Sequence, residues 1–457
     1  MWRDSARRIA PLAWPVFVGQ LSVLAFSTID TLLLARSSAA DLAALAVGSA
    51  AFVTVFIGFM GVLLALAPVV GQLHGAGRPR EAGHQARQAL WLVLVLSLLG
   101  CALLAFPAPF LALARAGPEV AAKVRGYLLA LGWSLPASLL FTVYRGFNIA
   151  VSRPKAVMAL QLAGLALKLP LTGLLVFGAG GLGLPALGVF GCGLATCIAM
   201  WAQAVAALAL LRRDPFYAPF ALFRHEPLRP DAAALRAQLR LGLPMGAGIL
   251  VEVSGFALMA VFIARIGTTA VAGHQLAANI VSILFMMPLA VASATSTLVA
   301  QSLGAGRPQD ARRTGWHGLV LGCALAALMG SAVYTARRPL LGLYSSDGAV
   351  IAAALPLVAW VAVFHVADAA QTIAAYVLRA HKIALVPMLI YVGAMWGVGL
   401  GGGWLLAFDV PGGVAPALQG AGGFWFAATA GLVLAALALS GFMFAWLRRQ
   451  PHHPALP

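Results

Sequence analysis

Acidic residues are scarce in this chain. Only 13 of its 457 residues are Asp or Glu, and the four charged types together make up 9%, far below the roughly 25% usual for a soluble globular domain. So few ionised groups cannot clothe a water-exposed surface, which excludes a soluble fold. Cysteine is equally sparse. Cys101, Cys192, Cys197 and Cys323 stand singly in apolar stretches, an arrangement that argues against a disulfide framework or a cysteine metal site. No GxxxxGK[ST] loop occurs, so nothing supports direct use of ATP, and no HExxH or GxSxG is present to begin a hydrolase constellation. Sustained period-two alternation is missing too. Runs such as LWLVLVLSLLGCALLAF (90–106) are apolar on every face, unlike the roughly ten-residue alternating segments of a membrane barrel.

What the chain has instead is apolar length. Hydrophobic residues make up 62% of it and the mean hydropathy is +0.94. Twelve apolar runs start near residues 9, 44, 87, 124, 154, 185, 238, 274, 313, 350, 383 and 420, each long enough to cross a roughly 30 Å hydrocarbon core as a helix. The expected fold class is therefore an all-α integral membrane protein of twelve transmembrane helices.

The net charge of +17 does not point to nucleic acid, because the cations form no patch with interleaved aromatics. They gather at helix ends. With the N-terminus placed inside, Arg3, Arg7, Arg8, Arg78, Arg80, Arg87, the groups at 145–155, 212–240, 307–313 and 379–382, and Arg448 with Arg449 share one side. Arg36, Arg115, Lys123, Arg125, Arg265, Arg337 and Arg338 fall on the other. The positive-inside rule then puts both termini in the cytoplasm. The basic start has the look of a secretion signal, but its apolar segment is too long and no small-x-small cleavage site follows, so it reads as a retained first helix.

The chain also repeats itself. GAGRP at 75–79 returns at 304–308, a shift of 229 positions, and the same shift aligns WPVFVGQL (14–21) with LPMGAGIL (243–250) and Ala35-Arg36 with Ala264-Arg265. Six spans fit within that shift, an even number, so the two copies enter the membrane in the same direction. This predicts a parallel repeat of two six-helix lobes related by a pseudo-two-fold axis along the membrane normal. The polar, proline-rich stretch LRRDPFYAPFALFRHEPLRPDAAALRAQLR (211–240) marks the join, giving expected boundaries of 1–213 for the first lobe, 214–237 for a cytoplasmic linker and 238–457 for the second lobe. Two such bundles suit rocking about a central cavity, the architecture of a transporter.

Ten of the acids lie in loops or at helix ends, and three do not. Asp30 sits within FSTIDTLLLA (26–35), Glu252 within GILVEVSGF and Asp368 within FHVADAAQT. An ionised group at membrane depth costs about 2.5–3.5 kcal/mol even on insertion scales, so these positions mark function by default. The structural alternative is that each only bonds neighbouring helices, at about 0.6 kcal/mol apiece. If Glu252 and Asp368 meet, the pair can take up a proton or, with oxygen ligands, a small cation such as sodium. One cation is also embedded: Lys168, in LALKLPLTGLLVF, is expected to pair with Asp30 or to face water. His365 and Gln371 lie three positions either side of Asp368 and share its helix face. Either could tune a proton site, and His365 could equally be a helix contact. Phe285, Met286, Met287 and Phe364 offer walls for flat apolar ligands, with simple packing the alternative. His274 is expected to pack or cap.

These residues carry a family resemblance. STIDTLLLA around Asp30, APVVGQLHGAGR (67–78), PALGVFGCGLATCIAMW (185–201), Glu252, AGHQLAANIVSILFMMPLA (272–290) and ADAAQTIAAYVLRAHK (367–382) occur in this order over nearly the whole chain. It resembles the multidrug and toxic compound extrusion (MATE) transporters, especially their bacterial NorM-like branch. The resemblance implies the MATE fold and an antiporter in the bacterial inner membrane that expels amphipathic, often cationic drugs in exchange for protons or sodium. No enzyme motif or cofactor is expected, and nothing in the sequence requires more than a monomer. It implies Asp30 as the first-lobe acid and Glu252 with Asp368 as the second-lobe ion site. Two departures stand out. Relatives often carry asparagines in the fifth helix where this chain has Lys168 and Thr172, and some place a tyrosine oxygen where this chain has Phe364. Fewer oxygen ligands favour protons over sodium. Two other readings compete: a lipid-linked precursor flippase of related fold, which would want a more basic cavity than Lys168 alone provides, and an intramembrane enzyme using Glu252 and Asp368 as an aspartic dyad.

Overall fold

The computed structural model describes residues 2–114, 117–178, 185–223, 229–410 and 412–449. Arg115, Glu226 and the linker residues 224–228, all assigned a side or a loop from the sequence, lie outside the described residues. Among those described, twelve helices are long and apolar enough to cross a membrane: α1 (Trp2–Leu34), α2 (Ala39–Gly75), α3 (Pro79–Ala105), α4 (Pro118–Ala150), α5 (Pro154–Phe177), α6 (Gly188–Arg213), α7 (Ala232–Ala264), α8 (Thr268–Gly304), α9 (Pro308–Thr335), α10 (Gly348–Ala380), α11 (Leu385–Ala407) and α12 (Gly420–Arg449). No strand occurs among them. Helices are what such sequence must form in lipid, where every backbone N–H and C=O has to be satisfied within its own segment.

Local signals set the helix ends. Pro79, Pro118, Pro154 and Pro308 open α3, α4, α5 and α9, at a position whose N–H would have no intrahelical acceptor anyway. Ser38 accepts a hydrogen bond from the N–H of Asp41 at the head of α2, and Asp347 accepts from Ala349 N–H at 2.8 Å to start α10. Inside α2 the helix is broken at Leu64 and Ala65, where Pro68 cannot supply the N–H that the Leu64 carbonyl would need. The widest departure is in α11. Its turns are α-helical over Leu385–Tyr391, π-helical over Val392–Gly402, and α-helical again over Gly403–Ala407.

The internal repeat has a geometric counterpart. After α2 and after α8, Gly77 and Gly306 both stand at φ 69°. Arg78 N–H bonds the Leu73 carbonyl and Arg307 N–H the Ser302 carbonyl, each at 2.9 Å. This is the six-to-one bond of a Schellman cap, which needs a left-handed residue and so takes glycine. Glu81 and Asp310 then repeat the same i,i+3 ion pair with Arg78 and Arg307.

Contacts divide the chain into two compact units: Val18–Gly246, and Met1–Phe17 with Ala247–Pro457. The division differs from the linker-based boundaries at 213 and 238, because the first half of α1 groups with the C-terminal chain and the first half of α7 with the N-terminal chain. In the first unit Leu66, Leu128, Leu131, Leu135 and Leu139 form the centre of a core built on α2, α3 and α4. Within that unit α7 crosses α2 closely: a Cβ on Gly61 would meet the backbone of Gly246, and one on Gly242 the Val62 carbonyl. In the second unit α8 and α10 lie innermost, with Val291, Val299, Ile373 and Val377 fully or nearly fully buried between them. Ile9 of α1 belongs to that core as well.

Candidate functional site

In the unit Val18–Gly246, α1 and α5 bring Asp30 and Lys168 together. Lys168 Nζ lies 2.7 Å from Asp30 Oδ2 and 3.5 Å from the Phe26 carbonyl, and it sits 4.6 Å from the centre of the Phe26 ring. Of the two residues, Lys168 is 1% exposed and Asp30 6%. The expected pair therefore exists, and Lys168 does not snorkel. No nitrogen or oxygen donor reaches Asp30 Oδ1, and the Cys192 thiol lies beside the carboxyl. Thr172 lies one turn beyond Lys168 on the same inward stripe, fully buried, with its hydroxyl also unpartnered. The pair carries no net charge, and the Thr172 hydroxyl one turn away has unused hydrogen-bonding capacity.

The second cluster lies wholly in the other unit and draws on α7, α10 and α11. Gln371 Nε2 donates to Asp368 Oδ1 at 2.9 Å and to Glu252 Oε1 at 3.3 Å, with Thr372 Oγ1 at 3.0 Å. Its carbonyl oxygen accepts from the Tyr391 hydroxyl. Asp368 and Gln371 are buried and Glu252 is half-buried. The two acids thus meet through an amide: one side-chain NH2 group is shared between two carboxylates. Just below, the Trp396 indole donates to the Val251 carbonyl at 3.1 Å, which ties the π-helical stretch of α11 to the turn of α7 that carries Glu252. Arg379 is buried two turns beyond Gln371 on α10.

The other sequence candidates are placed differently. His365 is fully buried, but neither ring nitrogen has a hydrogen-bond partner, so it is not joined to Asp368 despite sharing its helix face. Phe364 is 1% exposed and packs its ring between Phe256 of α7 and Trp425 of α12, each at 5.7 Å, which makes it a core residue here. Phe285 is half-buried. His274 accepts from the Trp425 indole at 3.2 Å, in keeping with its expected packing role. Tyr391 and Thr372 escaped the sequence reading, and Arg379 figured there only among the cations of the cytoplasmic side. The signal for Tyr391 was present: it is one of only seven tyrosines and sits inside an otherwise apolar run, VPMLIYVGAM. Among the described residues no group of three or more metal-ligating side chains occurs.

The MatE family pattern matches residues 15–174 and 244–405, stretches that include Asp30, Lys168, Glu252, Asp368 and Tyr391. A probable multidrug resistance protein NorM of Aromatoleum aromaticum is 40% identical over 447 residues, 97% of this chain and 94% of the relative. Multidrug resistance protein MdtK of Pectobacterium atrosepticum is 35% identical over 452 residues, 98% and 96% of the two chains. Among solved structures, the Vibrio cholerae MATE transporter VcmN in its bent form superposes with a TM-score of 0.85 at 20% identity, covering 98% of each chain. The eukaryotic MATE transporter AtDTX14 gives 0.86 at 19% identity, covering 97% of this chain and 96% of the other.

Proposed function

The chain belongs to the MatE family, and on that premise we propose that it is a multidrug efflux antiporter that expels amphipathic organic cations in exchange for an inward flow of protons rather than sodium. The observation that carries this reading is the amide of Gln371 shared between Glu252 and Asp368 inside α7 and α10. Two acids at membrane depth joined by one donor can exchange a proton between ionised and neutral forms while the amide keeps its hydrogen bonds. A sodium ion would need several oxygen ligands, as hard cations do. The ring of Phe364 offers none.

Asp30 contributes differently. Its partner Lys168 supplies a cation from within the chain, so the first-lobe acid acts on cargo and conformation through that pair, with Thr172 beside it. Phe285 is a candidate wall for cargo, and His365 a candidate polar group behind Asp368. The distribution of Lys and Arg supports both termini in the cytoplasm, and on this reading the protein is a monomer spanning the bacterial inner membrane. Each charge moved across 100 mV contributes about 2.3 kcal/mol to such exchange.

The test is release of a fluorescent organic cation, ethidium, from proteoliposomes under an imposed proton gradient or an imposed sodium gradient. Transport driven by the proton gradient, and lost in Glu252→Gln and Asp368→Asn, is the expected result. Transport indifferent to both gradients, or unchanged in both variants, would remove the coupling role from these acids.

A further inference from the structure

We propose that Tyr391 determines which cation the Glu252–Asp368 site accepts, by holding the Gln371 amide with its NH2 group toward the two acids. The inference rests on the coupling role proposed above for that site. Tyr391 is a positioning residue in this scheme, since it acts only through Gln371.

A glutamine side chain has two faces with opposite chemistry, an oxygen that accepts and an NH2 group that donates. Here Nε2 faces Asp368, Glu252 and Thr372 Oγ1, while Oε1 faces the Tyr391 hydroxyl. Tyr391 is 2% exposed, and Gln371 is the one hydrogen-bond partner of its hydroxyl among the described residues. If the amide turned over, Nε2 would point at Tyr391 and the hydroxyl proton would be left without an acceptor in a buried site. Leaving a buried donor unmet is unfavourable, so the hydroxyl holds the amide in one orientation.

That orientation selects between ions. Small hard cations are bound by oxygen atoms, and selectivity follows the number and kind of ligands presented. As held, Gln371 points hydrogens at the space between the carboxylates, and each of those carboxylates already accepts one of them. A proton needs a single oxygen lone pair and leaves the shared amide in place. Sodium would gain a further oxygen ligand, and lose the opposing N–H groups, only if the amide oxygen turned inward, which Tyr391 opposes.

Tyr391→Phe removes the hydroxyl and keeps the ring, freeing the amide to turn. Binding of radioactive sodium to the purified full-length chain in detergent is the primary readout, because it requires no transport and a merely structural role for Tyr391 would not create sodium affinity. Wild type is expected to bind sodium weakly, and Tyr391→Phe to bind it at least about tenfold more tightly, the equivalent of about 1.4 kcal/mol. Gln371→Glu, which replaces the NH2 group with oxygen, is expected to gain sodium binding whether or not Tyr391 is present. Equal sodium binding by wild type and Tyr391→Phe, at any affinity, would overturn the proposal. A proteoliposome assay in parallel separates the two readings. Wild-type ethidium transport indifferent to both gradients sinks the coupling function itself, whatever the sodium binding shows.

Discussion

Lys168 Nζ and Asp30 Oδ2 stand 2.7 Å apart within a buried neutral pair that joins α1 to α5. Breaking such a pair from one side is far worse than removing both partners, because a lone charge is then left in a low-dielectric interior, at about 3–5 kcal/mol. Asp30→Asn alone is therefore expected to lower the thermal unfolding temperature in detergent markedly. Asp30→Asn with Lys168→Met is expected to recover most of it. A double variant no more stable than the single would show that the pair is not what Asp30 holds in place. The same comparison bears on transport assays, since loss of activity in Asp30→Asn on its own confounds a missing acid with an unpaired lysine.

The bridge in the other unit behaves differently, because its centre is uncharged. Gln371→Met removes the donor shared by Glu252 and Asp368 and leaves Tyr391 with no acceptor. Hydrogen bonds to charged groups contribute about 1.5–3 kcal/mol each, so Gln371→Met is expected to destabilise the protein by a few kcal/mol. Adding Asp368→Asn supplies a new amide next to Glu252 and is expected to restore part of the loss. Differential scanning fluorimetry of the two variants checks this. A single variant as stable as wild type would mean that the bridge contributes little.

How much of this was legible in the sequence depends on the range of the interaction. The twelve spans and the GAGRP repeat were readable because each is local: apolar length sets a span, and a glycine at φ 69° closes a cap within six residues. Asp30, Glu252, Asp368 and Lys168 could be isolated because charge in an apolar run is costly wherever the chain folds. Partners were harder. Glu252 and Gln371 are 119 positions apart, and nothing local indicates which carboxylate an amide will bridge. Tyr391 went unremarked in the sequence because nothing local says that its hydroxyl ends on Gln371, 20 positions away. For Phe364 and His365 the sequence left packing and function both open, since helix spacing gives the face but not the neighbour that face meets. The grouping of half of α1 and half of α7 with the opposite ends of the chain also has no local signature.

Outside the membrane, the start of the linker is strapped to its own unit. Asp214 accepts from the Phe216 N–H and pairs with Arg153, which also lies 4.4 Å over the Phe216 ring, while the Tyr217 hydroxyl donates to Asn148 at 2.6 Å. The Phe216 N–H first, and the Arg153 guanidinium second, hold the Asp214 carboxyl below its ordinary value of 3.8. A depressed carboxyl stabilises above its unfolded value and loses that contribution as pH falls through the folded one. The strap is thus expected to be intact at neutral pH and to loosen only as pH drops below about 3.8. Asp214→Asn should loosen it at all pH values, read as faster hydrogen exchange over residues 215–223. Exchange there that is the same in wild type and Asp214→Asn at pH 7 would rule the strap out.

The paired caps allow a backbone prediction that involves no side-chain contact. Gly77 and Gly306 are both left-handed, and a Cβ built on either meets nothing within 4 Å. Substitution there is opposed by conformation alone, at about 1–2 kcal/mol for an ordinary L residue in that region. Gly77→Ala and Gly306→Ala are therefore expected to destabilise by similar amounts despite their different surroundings. Gly77→Asn and Gly306→Asn should be milder, because asparagine tolerates a left-handed backbone. Chemical denaturation of the four variants checks the order. If alanine and asparagine prove equally harmful at both positions, then something other than φ makes GAGRP glycine-dependent, and the match between the two caps would reflect a surface contact rather than a turn.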